Sequence, residues 1–334
     1  MIISDKQELR RCVKQLVRRA SVCEASLDFD VNHGEMGVQA MLDLWARPGQ
    51  TPAEALARTV ADQTPFSPDA SAMFAALDAM DLPVKDFDRA DALQKQYERE
   101  DYLRELLDTL RAKCVLVRAG VAQAGQIAFS DERFETLLVC DGEWFLPGRY
   151  GVDYAAAAAL LAEAAAACGA RNLAMDRFDL PALRYCLLPL CQDHGFALHV
   201  HLESQQEIEQ FALLLDEFEG VRALVSASEE LTSALVRSAK TRVRMLILLS
   251  DASQISYVLS NLGTRFAFFS AKAVLPEQML GRWLLAKEEI WQALCESYLP
   301  LARTGYELES SAIERDVRRI LCDNLLALVR PDHL

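Results

Sequence analysis

The sequence predicts an α/β fold: a closed barrel of eight parallel strands with helices between them. Three observations carry this expectation. From residue 112 onward, short apolar, β-branched runs alternate with helical stretches, the pattern of parallel strands joined by helical crossovers. One further strand near the N-terminus brings the number to eight, which closes a (β/α)8 (TIM) barrel. Neither G-x-G-x-x-G nor G-x-x-x-x-G-K-[ST] occurs, so an open nucleotide-binding sheet has little support. A chain of 334 residues accommodates one such barrel with an insertion. The reading is a single domain over 1–334, with a helical insertion over 35–111 after the first strand and extra helices at the C-terminus.

Ser4-Asp5-Lys6-Gln7 resembles a capping box. Leu9, Cys12, Val13, Leu16 and Val17 follow at helical spacing, so a helix is expected over about residues 5–20. The stretch 24–34, Glu-Ala-Ser-Leu-Asp-Phe-Asp-Val-Asn-His-Gly, alternates apolar with acidic residues and reads as the first barrel strand. The segment that follows carries no good strand signal and is too long for a simple connection. Residues 39–46 read as helix. Thr51-Pro52 starts another, with Thr as N-cap and Pro at the first helical position, and Ser67-Pro68-Asp69 repeats the device before 70–80. Residues 89–110 read as one long charged helix.

The remaining strands are expected at 113–119, 134–140, 172–176, 196–202, 222–226, 244–250 and 265–270. Between them lie an alanine-rich helix at 154–168 stopped by Gly169, a helix at 180–193, one capped by Ser204 and Glu207, and one at 229–239. Helices at 276–301 and 312–329 close the chain, the second with a capping box on Ser311 and Glu314.

Composition bounds the partners. The 35 basic and 49 acidic residues leave a net charge of −14, which argues against a nucleic-acid backbone or an anionic membrane. A local basic pocket would still admit an anionic substrate. The nine cysteines are odd in number and scattered, with no C-x-x-C, as expected of reduced thiols in a cytoplasmic protein. The N-terminus lacks the apolar core of a signal peptide. The longest apolar run, 154–168, contains Glu163 and is too short to span a bilayer.

In such barrels chemistry sits at the carboxyl ends of the strands. Those ends supply Asp28, Asp30, Asn32 and His33, then Arg118, Asp141, Asp176 and Arg177. His199, His201 and Glu203 follow, then Ser226 and Ser228, Ser250 and Asp251, and finally Ser270 and Lys272. In His199-Val-His201 the two imidazoles share a face of the strand. They either enter the barrel and share a metal, bond to neighbours within it, or face the helix layer. Asp28 and Asp30 also share a face, as a ligand or general base or as partners of Arg118 or Arg177. Lys272 is either a cation that holds a carboxylate or polarises a carbonyl, or a lysine snorkelling from a strand end. Asp176 and Arg177 read first as an ion pair. Trp144, Trp283 and Trp291 read as packing.

Further along, Gly263-Thr-Arg-Phe266 leads into Phe269-Ser-Ala-Lys-Ala273, then Glu277-Gln-Met-Leu-Gly-Arg-Trp283, Tyr298, Thr304-Gly-Tyr306 and Ile313-Glu-Arg-Asp-Val317. With Asp131-Glu-Arg-Phe134 and the order of elements, this resembles the uronate (glucuronate) isomerase family of the amidohydrolase superfamily of metal-dependent hydrolases. The resemblance implies a barrel with an insertion after the first strand. It also implies a metal held by a His-x-His at the end of the first strand and an aspartate at the end of the eighth, followed by a substrate-binding arginine. Here those positions carry Asp30-Val-Asn32, Ala271 (or Lys272 if the register slips by one) and Ala273, a degenerate metal site. A zinc ion in the family's place is therefore not expected. Either His33, His199 and His201 form a relocated site, or Lys272 supplies the positive charge without a metal, the preferred explanation because it covers both losses. The resemblance implies aldose–ketose isomerisation of a hexuronate, with Asp30 or His201 as base and Lys272 as polariser. Arg118, Arg177, Asn32 and Asp28 would then bind the substrate. A barrel without activity that binds a sugar acid or protein partner, and a hydrolase with a relocated metal, are the alternatives. The expected partner is a small sugar acid, with self-association into a homo-oligomer left open.

Overall fold

The structure is a computed structural model that describes residues 2–3, 5–27, 68–81, 99, 101–126, 129, 131–140, 153–175, 177–269, 276–304 and 306–331. Its centre is a (β/α)8 barrel. The eight strands are β2 (Val22–Leu27), β3 (Ala112–Gly120), β4 (Phe134–Cys140), β5 (Asn172–Met175), β6 (Ala197–Leu202), β7 (Arg222–Ala227), β8 (Met245–Leu249) and β9 (Phe266–Phe268). They follow one another around the sheet in chain order, every neighbour parallel. A two-stranded antiparallel ribbon of β1 (Ile2–Ile3) and β10 (Leu308–Glu309) ties the N-terminus to the last helices.

Alternation along each strand separates two apolar environments. Inward residues such as Cys23, Ala25, Leu116, Leu137, Ala174, Leu224, Leu248 and Phe269 form one buried cluster that spans the first to the last barrel strand, so the sheet is curled on itself. Outward residues such as Val117, Leu138, Leu173, Val200, Val225 and Ile247 join the larger cluster beneath the helices.

The helices are α1 (Lys6–Arg19), α2 (Pro68–Ala79), α3 (Tyr102–Leu110), α4 (Tyr154–Cys168), α5 (Leu188–His194), α6 (Gln205–Glu217), α7 (Thr232–Ala239), α8 (Ile255–Leu262), α9 (Pro276–Arg303), α10 (Ser310–Arg318) and α11 (Asn324–Val329). Helices α2 and α3 lie between β2 and β3, and α4 ends at left-handed Gly169. Ser204 caps α6, accepting from Glu207 N at 3.2 Å.

Several expectations are corrected. The cap of α1 is Asp5, not Ser4: its carboxylate accepts from Gln7 N (2.7 Å) and Glu8 N (2.8 Å). The expected long helix of 89–110 is, among the described residues, only Tyr102–Leu110, preceded by a turn at Asp101. The expected helix 180–193 contains a π-turn over Leu183–Leu187, in which Leu188 N reaches back to Leu183 O. Pro189 lacks the N–H that would continue an α-helical ladder there. The final helix starts at Ser310 with no side-chain cap, so the Ser311/Glu314 box is not used. The first strand begins two residues earlier than expected, and residues 28–34 lie outside the described residues, as do the helices expected at 39–46 and from Thr51.

A second π-turn, Arg319–Asp323, shifts the face of the final helix. Before it, Ile313 and Val317 pack under the outer layer. After it, Leu325, Leu328 and Val329 enter the barrel's own cluster and stopper its amino-terminal end. Arg222 Nη1 donates to Leu328 O (2.7 Å), Asn324 Nδ2 to Phe266 O (2.7 Å), and Cys23 and Cys322 place their sulfurs 3.3 Å apart. All nine cysteines are free thiols. No helix among the described residues is long and apolar enough to cross a membrane.

The last carbonyls of α1 find donors in other elements. Arg111 Nη1 donates to Arg19 O (2.7 Å), and Lys287 Nζ of α9 donates to Ala20 O (2.9 Å). Burial, then the charge of Arg111, pushes the Lys287 ammonium down to about 8. The unfolded chain keeps that proton up to the ordinary lysine range near 10.4. Between about pH 8 and pH 10 the unfolded state therefore binds more protons, and this group's contribution to stability rises with pH. Below pH 8 its charging penalty is constant. Urea unfolding of the wild type against Lys287→Met should show this rise only in the wild type, on the order of 2–3 kcal/mol across the window.

Candidate functional site

The inward face of β6 carries Ala197, His199 and His201, and that of β7 carries Leu224 and Ser226. Ala197 and Leu224 belong to the barrel's inner cluster, while Leu198, Val200 and Leu202 belong to the outer one. Both imidazoles therefore enter the barrel. The parallel register sets His201 beside Ser226 and His199 beside Leu224. Ser226 Oγ lies 3.1 Å from His201 Nδ1 and 3.3 Å from His199 Nε2. His199 and Ser226 are buried, whereas His201, one residue from the end of its strand, is exposed. Two imidazoles at different depths thus share one hydroxyl.

A serine hydroxyl has one proton to give and lone pairs to accept with. When it donates to His199, the Nδ1–H of His201 bonds to Oγ and His201 Nε2 is a bare base at the barrel mouth. When it donates to His201 Nδ1, neutral His201 carries its proton on Nε2 and presents a hydrogen-bond donor at the mouth. With Nδ1–H held on Ser226 Oγ, Nε2 can take up a proton to give the imidazolium and return it from the same nitrogen, without moving a heavy atom.

The other candidates separate. Arg118 is buried near the end of β3, with its position in the alternation directed inward. Arg177 is exposed and makes no ion pair among the described residues; Asp176, its expected partner, lies outside them. Asp251 is a cap, accepting from the N–H of Ser253 (2.8 Å) and from its hydroxyl (2.7 Å), and Ser228 makes no side-chain cap contact. Glu203 is exposed. Asp28, Asp30, Asn32, His33, Asp141, Ser270, Ala271, Lys272 and Ala273 lie outside the described residues.

The described residues do not gather a metal site. No three His, Cys, Asp or Glu side chains converge among them. Near the mouth they bring together two imidazoles whose facing nitrogens are directed at a serine hydroxyl, one ligand short of the three that a catalytic zinc keeps from protein. His33, the third member of the relocated set, is not among them.

Glu24, one acidic member of the alternating stretch 24–34, faces outward and is completely buried against α9. Trp283 Nε1 donates to its Oε2 (2.9 Å), and Ala25 N donates to its Oε1 (2.9 Å). Trp283 also meets the ring of Phe268 edge-on at 5.8 Å. Nearby, Tyr102 donates its hydroxyl to buried Glu277 (2.7 Å), and burial followed by the charge of Glu277 holds the phenol well above its ordinary range. These contacts brace the first barrel strand from behind. No spacing in the sequence marks the Glu24–Trp283 and Tyr102–Glu277 bonds, because each joins segments far apart in the chain.

Eight parallel strands in chain order, with convergent polar groups at their carboxyl ends, define the class: a (β/α)8 barrel with its candidate site at the usual end. Solved structures share that fold over nearly the whole chain. Uronate isomerase from Thermotoga maritima superposes with a TM-score of 0.63 at 9% identity, covering 96% of this chain and 97% of its own. A protein described as a metal-dependent hydrolase from Lactobacillus casei ATCC 334 superposes with a TM-score of 0.54 at 12% identity, covering 96% and 98%. At such identities the likeness establishes the fold. By sequence, no family model and no curated protein matches the chain.

Proposed function

We propose that the barrel mouth binds a hexuronate, glucuronate or galacturonate, and interconverts its aldose and ketose forms. The observation that carries the reading is exposed His201 held by Ser226 at the carboxyl end of β6. The fold likeness to a uronate isomerase supports the choice of reaction class. Isomerisation takes a proton from C2 of the open-chain aldose and returns it to C1, while a hydroxyl proton passes from O2 to O1; nothing is gained or lost overall. One group that both accepts and donates serves both carbon steps, and His201 backed by Ser226 is such a group. Arg118 and Arg177 are assigned to the substrate carboxylate, Asn32 and Asp28 to its hydroxyls, and Lys272 to polarising the carbonyl. Asp30 is the alternative base.

The assay is ketose formation from glucuronate and galacturonate by purified protein, with and without added Zn²⁺ or Mn²⁺. His201→Ala should lower turnover roughly 10²- to 10⁴-fold, the usual range for a positioned acid–base group. Ser226→Ala should cost less and displace the pH profile, because it removes the partner and not the base. Absence of turnover in every condition would overturn isomerisation. Thermal stabilisation by either sugar acid without turnover would favour a binding barrel, the reading supported by the replaced metal-ligand positions Asp30, Asn32 and Ala271. Metal found by elemental analysis of protein that fails to isomerise would favour the hydrolase.

A further inference from the structure

At the amino-terminal end of the barrel, opposite the mouth, an open cavity of about 810 Å³ is walled by Arg104, Arg111, Lys113, Arg133 and Arg330. It is assembled from distant segments: α3 and the turn after it, the start of β3, the turn before β4, and the residue that follows the stopper helix α11. Five cations around one hollow are notable in a chain of net charge −14.

Their partners divide them. Arg133 is neutralised by Asp108 and Asp131, each at 2.6 Å, and its guanidinium holds the Asp131 carboxyl below its ordinary value. Arg330 is paired with Glu135 at 2.5 Å. Arg111 donates to the neutral carbonyl of Arg19. Arg104 and Lys113 make no side-chain hydrogen bond or ion pair among the described residues, and both are exposed. Five cations thus meet four carboxylates, Asp108, Asp131, Glu132 and Glu135, a net charge of +1 about the cavity, and Arg104, Arg111 and Lys113 make no direct ion pair among the described residues. Their field reaches inward: after burial, Arg111 is what lowers the Lys287 ammonium, and Lys113 helps to lower the Cys322 thiol behind its bond to Cys23. Among the described residues no aromatic ring lines the cavity, so they offer nothing on which a nucleobase would stack. Its openness to water and its spaced cations suit a compact ligand rich in anionic oxygens.

We propose that this cavity binds a small, multiply charged anion, a phosphate ester or a polycarboxylate, at the end of the barrel remote from the candidate active site. The proposal is independent of the isomerase reading. Calorimetric titration at low ionic strength with inorganic pyrophosphate and with citrate tests it on three proteins: the wild type, Arg104→Gln/Lys113→Gln, and the control Arg237→Gln/Lys240→Gln, which removes two exposed cations from α7 and its end. The expected result is saturable one-to-one binding of at least one anion, weakened roughly tenfold or more in the cavity variant and unchanged in the control. The anion that binds more tightly identifies the source of the charge. A thermal melt of each variant confirms that it is folded; if the double variant is not, the single Arg104→Gln replaces it with the same criterion. Lack of saturable binding by either anion would overturn the proposal. So would equal weakening in cavity and control variants, or full binding by the cavity variant.

Discussion

Gly281→Leu should remove most of the protein's stability, and even Gly281→Ala should lower the melting temperature by roughly 4–5 °C or more. Helix α9 crosses α2 so closely at Gly281 that an added Cβ would lie 1.7 Å from the carbonyl oxygen of Ala72 and 2.4 Å from its carbonyl carbon. The obstacle is main chain, so no rotamer change relieves it and the two helices must part. Parting them exposes the seam that buries Ala72, Ala76, Leu77, Leu280 and Trp283. Alanine favours a helix over glycine by about 1 kcal/mol. Overpacking typically costs 1–3 kcal/mol and more where backbone must shift, so the net is destabilising by at least about 3 kcal/mol. Thermal melts of the two variants check this. Because Ala72 contributes its carbonyl and not its methyl, Ala72→Gly should fail to rescue Gly281→Ala. A Gly281→Ala protein that melts with the wild type would show that the helices do not meet in this way.

Glu24→Ala should be nearly as damaging, at about 3–5 kcal/mol. The carboxylate is fully buried and accepts from the Trp283 indole and the Ala25 amide. Its removal strands two buried donors, each costing about 1–3 kcal/mol, and leaves a cavity behind β2. Trp283→Phe should cost less, about 1–3 kcal/mol, because it keeps most of the ring packing and removes one donor. In a double-mutant cycle by urea unfolding the two changes should couple by at least about 1 kcal/mol. Strict additivity would mean that the bond carries no stability. The effect is expected to extend to function, because β2 leads directly toward Asp28, Asp30 and Asn32.

How much of this was legible in the sequence depends on whether a feature is local. The barrel was legible because each strand and helix carries its own periodicity. The runs at 134–140 and 154–168 coincide with β4 and α4 to the residue. Caps failed where two candidates were adjacent: Ser4 and Asp5 are both good acceptors, and the geometry of the turn chose Asp5. The helix expected over 89–110 is, among the described residues, broken by the turn at Asp101, which no local pattern in the sequence marks.

The site divides in the same way. Parity along β6 placed His199 and His201 on one face from sequence alone. Which face they took was decided by the outer helices covering Leu198, Val200 and Leu202. That a serine would hold them was decided by the register that sets β7 against β6, a quantity no single strand contains. The order of elements, the candidate strand ends and the paired imidazoles were therefore determined by sequence, since they follow from bond geometry and local hydrophobic period. The shared Ser226 hydroxyl, the buried Glu24–Trp283 brace, the need for glycine at 281 and the basic hollow at the barrel's far end were decided only in the tertiary structure. Each arises where segments tens to hundreds of residues apart meet, and the energy that selects them exists only once the sheet has curled and the helices have packed on it.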